Sequence, residues 1–325
     1  MLIRWGVLAA LCAGAVVHAE PTRVFVGMHV VDLRSVDLRA GSFYADLYLW
    51  RRFKQPDDEK LAEALANLEP ANGKFDGKEL IDDKLVDGER YICHRVSGTF
   101  FFAPDLHKYP FDTQTLPITV EATQLGAADV VFVEDRDSYV KSGEPENRWG
   151  LNPGLELPDY VFKGVSRRTW VMRYPTTFGD PTEHGSDTRY ARFTLEASFQ
   201  RQAASYAFKI LVPLLIILAM TYLVFFLPAD QHGTSATVAM TGLLSVMAFN
   251  VAVSGNMPDI GYLVLSDKFF IATFLLLLVT LIETFVVFTL DRKGQPALAL
   301  RVEKAARVVF PLLVAGIFAF FLLGV

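Results

Sequence analysis

Thr237, Thr241, Leu244, Ala248, Val251 and Gly255 recur at alternating intervals of four and three residues within the stretch PADQHGTSATVAMTGLLSVMAFNVAVSGNMP. On a helix beginning near Gly233 they form one narrow stripe, with the period that slightly tilted helices keep toward a shared axis. The stripe is graded, with hydroxyls first, Leu244 at its middle and small or apolar residues at its far end. About five copies around an axis would make a tube with hydroxyls at one mouth and a hydrophobic ring midway, where water is expelled and ion flow stops. The same residues also suit a membrane helix that packs through small and hydroxyl side chains. No zinc-type Cys/His spacing, phosphate-binding glycine loop or nucleophile elbow occurs in the sequence. Neither a metal, a cofactor nor a catalytic step is expected, and a membrane-anchored enzyme has only unpaired carboxylates in its favour.

Elements able to hold such a stripe follow from the distribution of apolar residues. The chain has 325 residues, 52% of them hydrophobic, and these concentrate at the start and after Ser205. Residues 1–19 carry Arg4, an apolar run and Val17-His18-Ala19, the layout of a signal peptide, with an uncleaved anchor as the alternative. Removal of that segment takes Cys12 and leaves Cys93 alone, so no intrachain disulfide is possible and a buried strand cysteine is expected. Residues 20–205 hold about 30 acids and 23 bases, whereas residues 206–325 come out near +1. An acidic aqueous domain raises local cation concentration and does not suit nucleic acid.

From residue 20 to 205 the signal is β. Strands are expected at 24–33, 42–53, 90–102, 113–123, 161–172 and 189–199, with Tyr44, Tyr48 and Trp50 on one face of the second. Residues 57–68 form a short amphipathic helix behind an acidic start. A Gly- and Asp-rich passage precedes Arg90, residues 142–158 read as a surface loop, and TTFGDPTEHGSD is a polar hairpin tip. Together these imply an antiparallel β-sandwich, immunoglobulin-like in type. Four apolar segments follow, at 206–227, 235–254, 269–290 and 308–325, each close to the ~20 residues that cross a bilayer. With the N-terminus outside, Arg292, Lys293, Arg301, Lys304 and Arg307 lie inside, as the positive-inside rule requires, and the C-terminus is outside. Glu283, within the third segment, must face protein or water. There it either hydrogen-bonds a neighbouring helix and senses protonation or makes a plain structural hydrogen bond.

Tyr109-Pro110-Phe111-Asp112, followed by Gln114 and Leu116, resembles the Phe/Tyr-Pro-Phe-Asp signature of the pentameric ligand-gated ion channels. The two cysteine positions of the animal members are held by Phe102 and Leu116, so the chain is similar to bacterial members without that disulfide. Arg201 ahead of the first membrane segment, Pro213 within it, Pro258 after the second and Phe310-Pro311 opening the fourth also match. The resemblance implies a homopentamer in the bacterial inner membrane, with its ligand sites between subunits of the sandwich and its second helices lining the pore. Permeant monovalent cations and an external small-molecule or proton agonist are the expected partners, besides the lipid bilayer. Leu244, Ala248 and Val251 take the place of the gate, and Thr237 and Thr241 that of the hydroxyl rings below it.

Arg201 ends the sandwich beside the membrane, and the resemblance places Asp112 and Asp37 in turns at the same junction. A guanidinium can hold a carboxylate by two hydrogen bonds, so Asp112–Arg201 is the expected coupling pair, with Asp37 as a weaker third member. A purely structural ion pair is the alternative. At the inner pore mouth the sequence has His232, Gly233 and Thr234 instead of the glutamate of many cation-selective members. Cation preference therefore rests on Asp230, with Gly233 and Thr237 beside it, and on the acidic half. His232 is either a proton-sensitive group or a solvated loop residue. For the ligand, Glu121 matches a position that contacts amines in a bacterial relative, but Thr123 stands where an aromatic is expected. Phe178 and His184 lie in the capping hairpin. An acid stimulus acting on external carboxylates competes with an amine. The expected function is a channel opened by an external chemical signal, with a non-conducting receptor of the same architecture as the alternative.

Overall fold

Alternation of period two builds the N-terminal half. In the computed structural model, which describes residues 20–179, 188–228, 231–255, 257–258 and 260–323, β1 (Thr22–Asp37) pairs antiparallel with β2 (Ser42–Lys54). Phe43, Ala45, Leu47, Leu49, Arg51 and Phe53 alternate into the interior of β2, and Tyr44, Tyr48 and Trp50 take the other face. Helix α1 (Glu59–Ala66) starts where the Asp58 carboxylate accepts the Lys60 amide, and it buries Ala62 and Leu65. There follow β3 (Glu69–Pro70), β4 (Gly73–Val86), β5 (Glu89–Phe101), β6 (Thr113–Glu121), β7 (Val130–Glu134), the one-turn α2 (Arg136–Val140), β8 (Tyr160–Tyr174) and β9 (Thr188–Arg201).

The strands form a five-stranded sheet, β4-β5-β2-β1-β7, facing a four-stranded one, β3-β6-β9-β8. Val24, Val26 and Met28 on one side meet Leu116, Ile118, Phe193 and Leu195 on the other in one apolar core. The sandwich is antiparallel apart from β7, which lies parallel to β1. There the chain crosses from β6 in the second sheet back to the edge of the first. The Gly- and Asp-rich passage expected to separate strands is itself the edge strand β4. Its side chains are mostly exposed, with charged residues interleaved among apolar ones such as Leu80 and Leu85, so it shows no apolar stripe, and those charges guard the open edge. The expected surface loop at 142–158 also buries more than its composition suggests. Trp149, Leu151 and Leu157 are buried, and Arg167 ties the loop down by donating to the Trp149 carbonyl and to Glu134.

The C-terminal part is helical: α3 (Ala203–Tyr222), continued by a 3-10 turn to Phe226, then α4 (His232–Ser254), α5 (Leu265–Arg292) and α6 (Pro296–Leu323). All four are long and apolar enough to span a bilayer. The last begins at Pro296, well before the expected 308, because a proline suits the first helical turn and ALALRVEKAAR is made of helix formers. The leader at 1–19 lies outside the described residues. Cys93 is buried on β5, as expected.

Two details of the sandwich generate predictions. A Cβ on Gly27 would lie 2.3 Å from Cζ2 of Trp50, whose indole donates to Asp135 at 2.9 Å and packs on Tyr139. Gly27→Ala should lower the thermal midpoint, by about 1–3 kcal/mol of overpacking. An unchanged midpoint would mean that Trp50 is free to move. On the interior face, Arg51 lies beside His94, 3.4 Å from its Nδ1. Burial, with the Arg51 and Lys78 charges adding, pulls His94 down from 6.5 to about 4. The folded state then resists a proton that the unfolded chain accepts, so stability is complete above pH 6.5 and is lost as pH falls toward 4. Melting curves of wild type and His94→Asn should diverge in that window, with the wild type losing more.

Candidate functional site

Residues 102–112, which connect β5 to β6, leave the sandwich and enter the helical part. Leu106 and Tyr109 are buried in a cluster with Ile210, Leu214, Met257 and Phe269. The Leu106 amide donates to the Tyr262 hydroxyl at 3.1 Å, and the His107 ring stacks on Tyr262 at 3.8 Å and 3°. His107 also contacts the Asp105 carboxylate through Nδ1 at 2.7 Å. The segment ends at Asp112, and the pair expected from the sequence is present. Arg201 Nε donates to Asp112 Oδ1 at 2.8 Å and Nη2 to Oδ2 at 3.1 Å, with only 5% and 1% of the two side chains exposed. Gln114 donates to the same carboxylate, and the Arg201 amide donates to the Asp112 carbonyl. Tyr109, Tyr160 and Tyr206 surround the guanidinium with their rings, at 5.2, 4.8 and 5.3 Å.

Asp37 does not join this pair. Its Oδ1 accepts the Arg39 and Ala40 amides, so the carboxylate closes its own turn while lining the same junctional cleft as Arg201. What reaches the helices from that turn is Arg39, whose Nη1 lies 3.5 Å from the Gly255 carbonyl. Neither that contact nor the His107–Tyr262 stack had a sequence signal, because both depend on how the two halves dock.

Helix α4 has two unlike faces. Ser235, Ala239, Gly242 and Val246 are buried against the neighbouring helices, and a Cβ on Gly242 would come within 3.0 Å of the Thr221 hydroxyl. Opposite them Thr237, Thr241, Leu244, Ala248, Val251 and Gly255 are all exposed, Leu244 at 63% and Val251 at 68%. Thr237, Thr241 and Ser245 each donate their hydroxyl proton to the carbonyl four residues earlier, at 2.8–2.9 Å. Their oxygens therefore present lone pairs outward. Gly255 caps the helix, Gly233 is exposed in its first turn, and Asp230 falls outside the described residues.

His232 lies in the helix instead of a solvated loop, with its ring 4.0 Å from that of Phe288. It shares a water-sized cavity of about 20 Å³ with Ser235, Glu283 and Glu303. The Glu283 Oε1 is buried and makes no hydrogen bond among the described residues, so the expected bond to a neighbouring helix is absent at that atom.

At the expected ligand position Glu121 is already engaged. Arg192 Nε donates to its Oε2 at 2.5 Å, and the Tyr174 hydroxyl donates at 3.2 Å. Aromatic rings are nevertheless present, contributed by Trp170 and Tyr174 of β8 instead of position 123. Phe178 is exposed, adopts a left-handed φ of 54° and meets Tyr174 edge-on at 5.3 Å. His184 lies outside the described residues. Strand alternation could have placed Trp170 and Tyr174 on one face. Arg192 opposite Glu121 needed the register.

Residues 210–314 match the family model of the neurotransmitter-gated ion-channel transmembrane region. A proton-gated ion channel of Gloeobacter violaceus is 24% identical over 329 residues, covering 93% of this chain and 84% of the relative. A pH-sensitive chloride channel 2 of Anopheles gambiae is 22% identical over 66% of this chain and 33% of its own length. The neuronal acetylcholine receptor subunit beta-2 of Carassius auratus is 24% identical over 86% and 60%. With the two-sheet sandwich, the four apolar helices and the inserted 102–112 segment, these matches make residues 210–314 similar to the neurotransmitter-gated ion-channel transmembrane region and nearly the whole chain similar to a proton-gated ion channel.

Proposed function

We propose that the chain assembles as a homopentamer in the bacterial inner membrane, with the sandwich and the C-terminus outside, and conducts monovalent cations when an external chemical signal reaches the sandwich. The observation that carries this reading is the two-faced α4. One face is spent on its own bundle, and the graded stripe on the other is exposed among the described residues. In a ring of subunits the stripe would line the axis. Leu244, Ala248 and Val251 would then form the dewetting gate, and Thr237 and Thr241 the hydroxyl rings below it. Hydroxyl oxygens whose protons are engaged by the helix offer lone pairs to a cation, and the acidic sandwich concentrates cations at the mouth. Asp230, Gly233 and Thr237 would border the inner constriction.

Two features favour protons over an amine as the stimulus. Glu121 is already held by a guanidinium, and a proton-gated channel aligns with nearly the whole chain. Asp112 and Arg201 would carry the signal, since they bind the inserted segment to the strand that runs into α3. Removing one partner of a buried pair costs about 3–5 kcal/mol, enough to make the junction move as one body.

Three measurements test this. Purified protein in planar bilayers should pass current on acidification, with a reversal potential that follows the Na⁺ gradient; one that follows Cl⁻ would overturn the cation preference, and silence under acid and amines alike would overturn the channel. Leu244→Ala should shift activation toward weaker stimulus by roughly tenfold or more, equivalent to about 1.4 kcal/mol of bias toward the open state. In a double-mutant cycle, Asp112→Asn and Arg201→Gln should each impair gating of assembled channels, and the pair together little more than either alone. Normal gating in Asp112→Asn pentamers would make the pair merely structural.

A further inference from the structure

On the outward face of the second sheet, β6, β9 and β8 place Glu121, Arg192 and Trp170 in one row, Glu121 in register with Arg192 and Arg192 with Trp170. Outward strand residues are ordinarily solvated, yet the Glu121 side chain is only 7% exposed and that of Arg192 13%. The guanidinium bonds Glu121 through Nε, donates through Nη2 to the Tyr174 hydroxyl, and lies 5.1 Å from the Trp170 ring centre and 5.6 Å from that of Tyr174. The cup is itself braced. Trp170 Nε1 donates to the Thr194 hydroxyl at 3.0 Å, which meets that of Thr119, and Tyr190 and Phe178 pack edge-on against Tyr174.

A carboxylate walled by aromatic faces recognises organic cations. Here the cation in it is a side chain from the adjoining strand. We propose that Glu121, Trp170 and Tyr174 form a receptor for one guanidinium or alkylammonium group, and that Arg192 is its tethered occupant, which keeps free organic cations out. Tethering gives Arg192 an effective concentration of millimolar or more, so a free amine must outcompete a group that never leaves the neighbourhood. The inference deepens the proposed function by removing amines as stimuli at this position, but it concerns binding and holds whether or not the protein conducts.

The test uses full-length protein in detergent, with methylguanidinium chloride as probe and equal NaCl as control. Arg192→Ala opens the cup, and Arg192→Gln does so while keeping a hydrogen-bonding group near Tyr174. In either variant methylguanidinium should raise the thermal midpoint and change tryptophan emission saturably. The wild type should respond roughly 100-fold more weakly or not at all. Adding Glu121→Gln to the variant should abolish the response. Saturable binding to the wild type well below millimolar methylguanidinium, where the tethered Arg192 should outcompete it, overturns the proposal even if neither variant folds. So does the absence of a saturable response in a folded variant, or an undiminished response without Glu121.

Discussion

A guanidinium and a carboxylate can both be removed from water at the place where two domains meet only if each satisfies the other. Asp112 and Arg201 do so with two parallel hydrogen bonds, a third donor from Gln114 and three tyrosine rings around the charge. The pair joins two chain segments of different fate. Asp112 closes the segment whose Leu106 and Tyr109 are sunk among the helices, and Arg201 ends the strand that continues into α3. A displacement of β9 relative to that segment must break a buried ion pair or carry the helices with it. Interfaces of this kind are bistable instead of continuously deformable, which is the physical requirement for a switch.

Downstream of that clamp the critical element is a helix with two incompatible faces. Small residues, Ala239 and Gly242 among them, let α4 approach its own bundle closely. The opposite face alternates hydroxyls and bulk along the axis. Hydroxyls that donate internally cost little to place in an apolar setting, because no donor is left unbonded, and they still expose acceptor oxygens. One face packs within the protomer and the other is exposed.

Carboxylates in this protein act according to what they touch. Asp112 is buried and paired, Asp37 caps its own turn, Glu121 holds Arg192, and Glu283 is half-buried in the helical part, its buried Oε1 unbonded among the described residues. A single composition figure, the acidic excess of the N-terminal half, hides three distinct environments, and Glu283 in the helical half adds a fourth. Only the tertiary setting separates charges that steer ions from those that hold the scaffold.

Much of the architecture was legible because it rests on local periodicity. Alternation marked β1, β2, β5 and β9. Long apolar runs marked the four helices. The four-three spacing marked the exposed stripe of α4, since a helix fixes which residues share a face whatever surrounds it. Arg201 was placed beside Asp112 by a motif and a position near the first membrane segment. The sequence could not show that the charged passage before Arg90 is an edge strand, that β7 runs parallel to β1, or that Asp37 bonds its own turn. Least of all could it show that Arg192, 71 residues from Glu121, donates to that carboxylate. That depends on strand register, where a slip of one residue sends every side chain to the opposite face. The sequence determined by itself which elements form and which faces they carry, because those are properties of neighbours along the chain. Which charge meets which carboxylate was decided by folding, because that is a property of neighbours in space.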